Sequence, residues 1–157
     1  MKLMRVKVEE EGDSIHLLLV EDDTLDALNV QRVFRGLGAI ASVTVAQDGV
    51  EGIEVLRSGN LPLHRLVILL DLRMPRMNGL EFLRVMRADP QLRAIPVVVL
   101  TTSADEGDRE QAYRMNVAGY FLKPVNLSEF KQAMTTFTEY WSRVIFPNPR
   151  YGIPSPS

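Results

Sequence analysis

The chain of 157 residues has the length of one domain with one hydrophobic core. Its 46% hydrophobic and 24% charged residues are ordinary for a globular protein, and its formal charge of −2 argues against a nucleic-acid-binding surface. The lack of cysteine excludes disulfides, thiol nucleophiles and thiolate metal sites, and no apolar stretch approaches the ~20 residues of a membrane span.

The first predicted elements are a buried strand and the helix that follows it. Residues 1–13 form a charged leader without the apolar core of a signal peptide, so we expect a cytoplasmic protein. Ile15–Val20 is apolar on both faces, as in a central parallel strand, and an acidic turn follows it. A helix is predicted next from apolar residues at helical spacing and two stop glycines: Ala27, Val30, Phe34, Leu37, Gly36 and Gly38.

Strands and helices continue to alternate along the rest of the chain. Further strands are predicted at Ser42–Ala46, Leu66–Leu70, Val97–Leu100 and from Gly119. The helices between them are marked by apolar residues at helical spacing: Val50, Ile53 and Leu56, then Leu80, Leu83 and Met86, then Ala112 and Met115 in a polar helix over Asp105–Asn116. The last helix is predicted from about Asn126 to about Ile145 and has the strongest periodicity: Leu127, Phe130, Met134, Phe137, Trp141 and Val144.

This alternation predicts the fold class. Strands that alternate with helices form a parallel sheet that is covered on both faces, with right-handed crossovers. We expect a flavodoxin-like, doubly wound α/β fold with five parallel strands in the order 2-1-3-4-5 and five helices. The predicted organisation is a leader over residues 1–13, one domain over residues 14–145 and a Pro-rich tail over residues 146–157.

Four of the predicted strands end in residues that can carry chemistry. Glu21 and Asp22 follow the first strand, Asp71 the third, Thr101 the fourth and Lys123 the fifth. Because the carboxyl ends of parallel strands meet at one edge of the sheet, we expect these side chains to share a crevice. Carboxylates without a His or Cys ligand favour a hard cation such as Mg²⁺. A carboxylate nucleophile at Asp71, a hydroxyl and an ammonium would suit phosphoryl transfer.

Taken singly, these residues have ordinary explanations. An Asp at a strand end is also typical of a helix N-cap, and a Thr at a strand end also follows from β-propensity. Lys123 is harder to explain in this way, because it follows an apolar run and precedes Pro124.

Together the motifs resemble the receiver domain of two-component response regulators. They occur in the order and at the spacing of that family, over about Ser14 to Arg143 of the chain. The segments that carry the resemblance are Val20-Glu21-Asp22-Asp23, Leu70-Asp71-Leu72-Arg73-Met74-Pro75-Arg76-Met77-Asn78-Gly79, Leu100-Thr101-Thr102-Ser103 and Gly119-Tyr120-Phe121-Leu122-Lys123-Pro124.

The resemblance implies a role for each site residue. Asp71 would be the phosphoacceptor, and Mg²⁺ would be held by Glu21, Asp22, Asp71 and the backbone carbonyl of Arg73. The roles of the remaining residues are implied as follows: Thr101, the backbone amide of Thr102 and Lys123 bind the phosphoryl group, Thr101 and Tyr120 form the switch, and Arg73 and Ser103 tune hydrolysis. The family also implies a cis Lys123–Pro124 peptide bond.

Two other classes compete with this interpretation. Phosphatases and mutases of the haloacid-dehalogenase type also place an Asp at a strand end beside Mg²⁺. Those enzymes carry a second Asp two residues later. Arg73 stands at that position here, which counts against them. A pseudo-receiver, which binds partners without phosphorylation, usually lacks one or more site residues, and none is missing from this sequence.

The resemblance also implies how the protein acts. We expect a single-domain regulator that catalyses its own phosphorylation and dephosphorylation, is not a turnover enzyme, and works through a partner. The loop at Pro62–Arg65, the segment Leu100–Ser103 and the aromatic, Pro-rich tail resemble regulators that are paired with phytochrome-type histidine kinases. Aromatic residues in the last helix and tail predict a homodimer through the fourth helix, fifth strand, fifth helix and tail: Phe137, Tyr140, Trp141 and Phe146. Completion of the core by these residues is the alternative.

Overall fold

The central feature of the computed structural model is a parallel sheet of five strands, and the structure describes residues 14–147. The strands are β1 (Ile15–Val20), β2 (Ile40–Ala46), β3 (Leu66–Leu70), β4 (Val97–Thr101) and β5 (Gly119–Leu122). Their order in the sheet is β2-β1-β3-β4-β5, and every neighbouring pair is parallel. The flavodoxin-like fold class that the sequence predicts is therefore confirmed.

Helices connect the strands and cover both faces of the sheet. They are α1 (Thr24–Leu37), α2 (Gly49–Arg57), α3 (Gly79–Ala88), α4 (Glu106–Arg114) and α5 (Leu127–Arg143), with a 3₁₀ turn at Leu63–Arg65 before β3. Each of the five helices begins at a polar N-cap whose side chain accepts a backbone N–H of the first turn: Asp23, Asp48, Asn78, Asp105 and Asn126. Helix α1 ends where Gly38 adopts a left-handed conformation, with φ 70°, as its predicted stop requires.

Two hydrophobic layers hold the helices to the sheet. On one face, α1 and α5 pack their buried residues against one set of strand side chains, with Phe34 and Phe137 in ring contact at 5.7 Å between centroids. On the other face, α2 and α3 pack Leu56, Phe82 and Met86 against the alternate strand residues, and α4 adds Ala112. Since β1, β3 and β4 are covered on both faces, their apolar runs are almost entirely buried, and their ends are rigidly placed.

Some element bounds differ from the prediction. Strand β2 begins at Ile40 rather than Ser42, because Ile40 pairs with Ile15 across an irregularity in the β1–β2 register that the local sequence does not reveal. Helix α4 is shorter than predicted at both ends. Helix α5 ends at Arg143 rather than about Ile145, where Val144 turns to an extended conformation. The predicted leader over residues 1–13 and most of the predicted tail lie outside the described residues.

Candidate functional site at the carboxyl edge of the sheet

The polar residues after β1, β3, β4 and β5 meet at one edge of the sheet, as predicted. Backbone hydrogen bonds extend the parallel ladder past the strand ends and fix their spacing. The N–H of Asp71 donates to the carbonyl of Val20 at 3.0 Å, and the N–H of Lys123 donates to the carbonyl of Thr101 at 2.8 Å. The backbone at Asp71 and at Lys123 is therefore positioned by the sheet.

Three carboxylates form the acidic part of the site. One ligand oxygen from each of Glu21, Asp22 and Asp71 lies within 4.8 Å of the others. Glu21 and Asp71 are buried and Asp22 is exposed, so the cluster opens to solvent on one side. Three oxygen donors with no nitrogen or sulfur ligand fit a hard divalent cation that keeps some of its water.

The electrostatics of Glu21 fit the same conclusion. Burial raises the pKa of Glu21, a hydrogen bond from Lys123 lowers it and the negative charge of Asp71 raises it, so that the net pKa is raised to about 7. Buried carboxylates that repel one another in this way are relieved by a bound cation. The backbone carbonyl of Arg73 stays a predicted ligand, and the Arg73 N–H donates to Oδ1 of Asp71 at 3.2 Å, which holds the loop against the carboxylate.

The ammonium of Lys123 sits among three carboxylates. Its Nζ lies 2.7 Å from Oε2 of Glu21, 2.7 Å from Oδ2 of Asp26 and 3.3 Å from Oδ2 of Asp71. Burial lowers the pKa of Lys123, but the hydrogen bonds to Asp26 and Glu21 outweigh burial and the net pKa is raised. Lys123 is therefore a fixed positive charge beside Asp71. Sequence reasoning missed Asp26, which lies 97 residues before Lys123 in the chain.

Thr101 ends β4 and lies buried at the rim of the crevice. Its Oγ1 accepts the backbone N–H of Ser103 at 3.2 Å, which leaves the hydroxyl proton available for an acceptor in the site. Thr102, whose backbone amide is a predicted phosphoryl ligand, is exposed at the next position. The switch residue Tyr120 lies half-buried, and its hydroxyl donates to the carbonyl of Ser103 at 2.7 Å. Ser103 is therefore hydrogen-bonded to both Thr101 and Tyr120.

Arg73 and Ser103, the predicted tuning residues, are joined by a carboxylate that the sequence did not single out. Nη2 of Arg73 lies 2.6 Å from Oδ2 of Asp108, in the first turn of α4, and Ser103 Oγ donates to that same oxygen at 2.7 Å. Nη2 of Arg73 also donates to Ser103 Oγ at 3.4 Å. The side chain of Arg73, a residue of the loop after Asp71, therefore reaches across to Ser103 in the loop after Thr101.

The aromatic residues of α5 divide into core and surface. Phe137 and Trp141 are 2% and 6% exposed and belong to the core beneath α5, so within the protomer they complete the hydrophobic layer instead of offering a free surface. Tyr140 is 61% exposed and stacks edge-on against Trp141, and Phe146 packs over Trp141 at 6.1 Å between centroids. Tyr140 is therefore the most exposed of the four predicted interface residues.

The peptide bond before Pro124 differs from the expectation. No peptide bond among residues 14–147 is cis, so the prediction of a cis Lys123–Pro124 bond is wrong for this structure. The physical preference is small, because a trans bond before proline is favoured by only about 0.5–1 kcal/mol. The trans bond still allows Lys123 to reach Asp71.

Comparisons with known proteins agree on one family. The family described as response regulator receiver domain matches residues 17–135. The probable methanogenesis regulatory protein FilR2 of Methanothrix harundinacea is 39% identical over 85% of this chain and 88% of its own length. The response regulator Rcp1 of Synechocystis is 33% identical over 82% of this chain and 90% of its own length.

A solved structure gives the same result. The phosphorylated cyanobacterial phytochrome response regulator RcpA superposes with a TM-score of 0.79 at 32% identity, and the match covers 86% of this chain and 99% of RcpA. A Mn²⁺-bound form has been solved for Rcp1 and has a TM-score of 0.76. Among the helices of residues 14–147, none has the length and hydropathy that a membrane crossing requires.

Proposed function

Since the chain belongs to the response regulator receiver family, we propose that it is a cytoplasmic response regulator whose Asp71 accepts a phosphoryl group from a histidine kinase in the presence of Mg²⁺. One observation carries the proposal: the oxygens of Glu21, Asp22 and Asp71 lie within 4.8 Å of one another, and the Lys123 ammonium lies 3.3 Å from Asp71. Receiver domains of this type are signalling proteins and not turnover enzymes.

The side chains of the site have separate tasks in the reaction. An Asp71 oxygen attacks phosphorus, the bond from phosphorus to the kinase histidine nitrogen breaks, and the nitrogen keeps the electron pair. Lys123 and the hydroxyl of Thr101, with the backbone N–H of Thr102, bind the oxygens of the transferred group. Mg²⁺, when held by Glu21, Asp22, Asp71 and the Arg73 carbonyl, supplies positive charge that offsets the charge on these oxygens. The same residues catalyse hydrolysis, which Arg73 and Ser103 tune.

The output is a switch between Thr101 and Tyr120. A phosphoryl group on Asp71 accepts the free proton of the Thr101 hydroxyl and draws Thr101 toward it. Because Oγ1 of Thr101 also accepts the Ser103 N–H at 3.2 Å, a shift of Thr101 moves Ser103 as well. The carbonyl of Ser103 holds the Tyr120 hydroxyl at 2.7 Å, so the movement reaches β5 and the adjacent face of α4 and α5. We propose that this face forms a homodimer, with the exposed Tyr140 and the C-terminal tail extending the contact.

The upstream partner that we propose is a phytochrome-type histidine kinase. The structural match to the phytochrome response regulator RcpA supports this choice, whereas the 39% identity to FilR2 favours a kinase of another pathway. Purified kinases of both kinds, labelled with radioactive phosphate, would be mixed with the protein and with its Asp71→Asn variant. Rapid label transfer from the phytochrome-type kinase to the wild type alone is the expected result. Equal labelling of the variant would contradict the role of Asp71, and faster transfer from the other kinase would contradict the choice of partner.

A further inference from the structure

Asp26 binds the site lysine from outside the acidic cluster. It lies in the first turn of α1, where its backbone N–H donates to the N-cap Asp23 at 2.9 Å. Its Oδ2 lies 2.7 Å from the Lys123 Nζ, which is closer than the 3.3 Å between Nζ and Asp71. An acid in a first turn ordinarily needs no more explanation than the helix dipole. This one has a specific partner, because the Lys123 side chain is only 11% exposed.

The geometry makes Asp26 different from the other two carboxylates on Lys123. An ammonium has three N–H donors, and here the acceptors within reach are Glu21, Asp26 and Asp71. Glu21 and Asp71 belong to the cluster of residues that could hold a cation, and Asp26 does not. A phosphoryl group on Asp71 adds oxygen acceptors without adding a donor, so Lys123 must then divide its hydrogen bonds.

We propose that Asp26 is a positioning residue that holds Lys123 toward α1 and competes with the phosphoryl group on Asp71 for the ammonium. The inference rests on the proposed function, because it concerns the same lysine and the same acceptor. Asp26 thereby weakens the hold of the site on the phosphoryl group.

The test uses the full chain and beryllium fluoride, which stands in for a phosphoryl group on a carboxylate. Its affinity is measured by calorimetry in Mg²⁺ for the wild type and for Asp26→Asn, which keeps the side-chain shape and the backbone contact to Asp23. We expect the dissociation constant of the variant to be about 1.4- to fivefold lower, the range for an ion pair whose Asp26 side chain is 39% exposed. Glu129→Gln removes one negative charge from the first turn of α5 and is the matched control, with no change expected.

Each outcome bears on the proposal separately from the proposed function. Unchanged or weaker binding by Asp26→Asn, with normal binding by the wild type, overturns the role of Asp26 and leaves the acceptor role of Asp71 intact. An equally lower dissociation constant for Glu129→Gln also overturns the role of Asp26, because the gain in affinity would then come from the loss of any nearby negative charge. In a Lys123→Met background the Asp26→Asn effect should vanish, and its persistence would contradict action through the lysine. If Lys123→Met does not bind at all, the comparison of Asp26→Asn with Glu129→Gln decides. No binding by the wild type overturns both proposals.

Discussion

Replacing Asp108 by asparagine removes the charge that holds the Arg73 guanidinium beside Ser103. In the folded protein, Arg73 and Asp108 lie 2.6 Å apart, and the Ser103 hydroxyl donates to the same carboxylate oxygen. Asp108 therefore holds the Arg73 side chain between the loop after Asp71 and the loop after Thr101. Without its anchor it spends more time in solvent, and water reaches a phosphoryl group on Asp71 more easily. We therefore expect Asp108→Asn to hydrolyse its phosphoaspartate faster than the wild type.

The magnitude follows from the exposure of the pair. The Arg73 side chain is 62% exposed and the Asp108 side chain is 16% exposed, so the pair is partly screened by solvent. Pairs of this kind contribute about 0.2–1 kcal/mol, and each 1.36 kcal/mol corresponds to a tenfold change in rate, so the expected acceleration is about 1.4- to fivefold. A larger effect would require a direct catalytic role for Asp108.

The assay follows the decay of the phosphorylated protein after the phosphodonor is removed. Wild type, Asp108→Asn and Arg73→Met are compared with Glu106→Gln, a control in the first turn of α4 whose carboxylate contacts Arg109 at 3.9 Å and does not reach Arg73. Asp108→Asn and Arg73→Met should shift in the same direction, and the control should match the wild type. A slower decay of Asp108→Asn, or a decay unchanged while that of Arg73→Met changes, would refute the anchoring argument.

Three further predictions concern stability. Gly79→Ala should lower the free energy of unfolding, measured in urea, by about 1–3 kcal/mol, because the new Cβ would clash with the backbone carbonyl of Asp71. An unchanged urea midpoint would contradict this close approach. The hydrogen bond from Arg76 lowers the pKa of Asp48. The ion pair of Asp48 with Arg76 therefore stabilises the fold at a pH above the pKa that Asp48 has in the unfolded chain, and this stabilisation is lost as the pH falls through the pKa of Asp48 in the folded protein. Asp48→Asn, which retains the helix cap, should be less stable than the wild type at pH 7 but not at pH 2, and a constant difference would count against the ion pair. Thr138→Val should raise stability by about 1 kcal/mol, because it removes a buried hydroxyl that has no hydrogen-bond partner among residues 14–147. A lower melting temperature of the variant in calorimetry would contradict this.

The sheet and the main site residues could be predicted because their signals are local. Apolar runs at Ile15–Val20 and Leu66–Leu70 predict strands directly, and parallel pairing then brings their ends together whatever the loops do. The start of β2 could not be predicted, because its pairing with Ile15 depends on an irregular register.

The missed site residues share a different property. Asp26 and Asp108 lie in the first turns of helices, where acidic residues are common for local electrostatic reasons. Their functional contacts are to Lys123 and Arg73, which are 97 and 35 residues away along the chain. No local pattern distinguishes such a residue from a solvated acid on a helix. The helical stripe in α5 likewise marks Phe137 and Trp141 as apolar without telling whether the protomer itself buries them.

Peptide mapping after phosphorylation tests the central claim most directly. The protein is incubated with Mg²⁺ and a small-molecule phosphodonor, digested at low pH and analysed by mass spectrometry, with Asp71→Asn and Asp48→Asn in parallel. Asp48 is a matched control, since it is also a buried carboxylate but pairs with Arg76 outside the cluster. We expect one phosphoryl group on the peptide that contains Asp71 in the wild type and in Asp48→Asn, and none in Asp71→Asn. A phosphoryl group on another residue, or an unmodified wild type, would contradict the account.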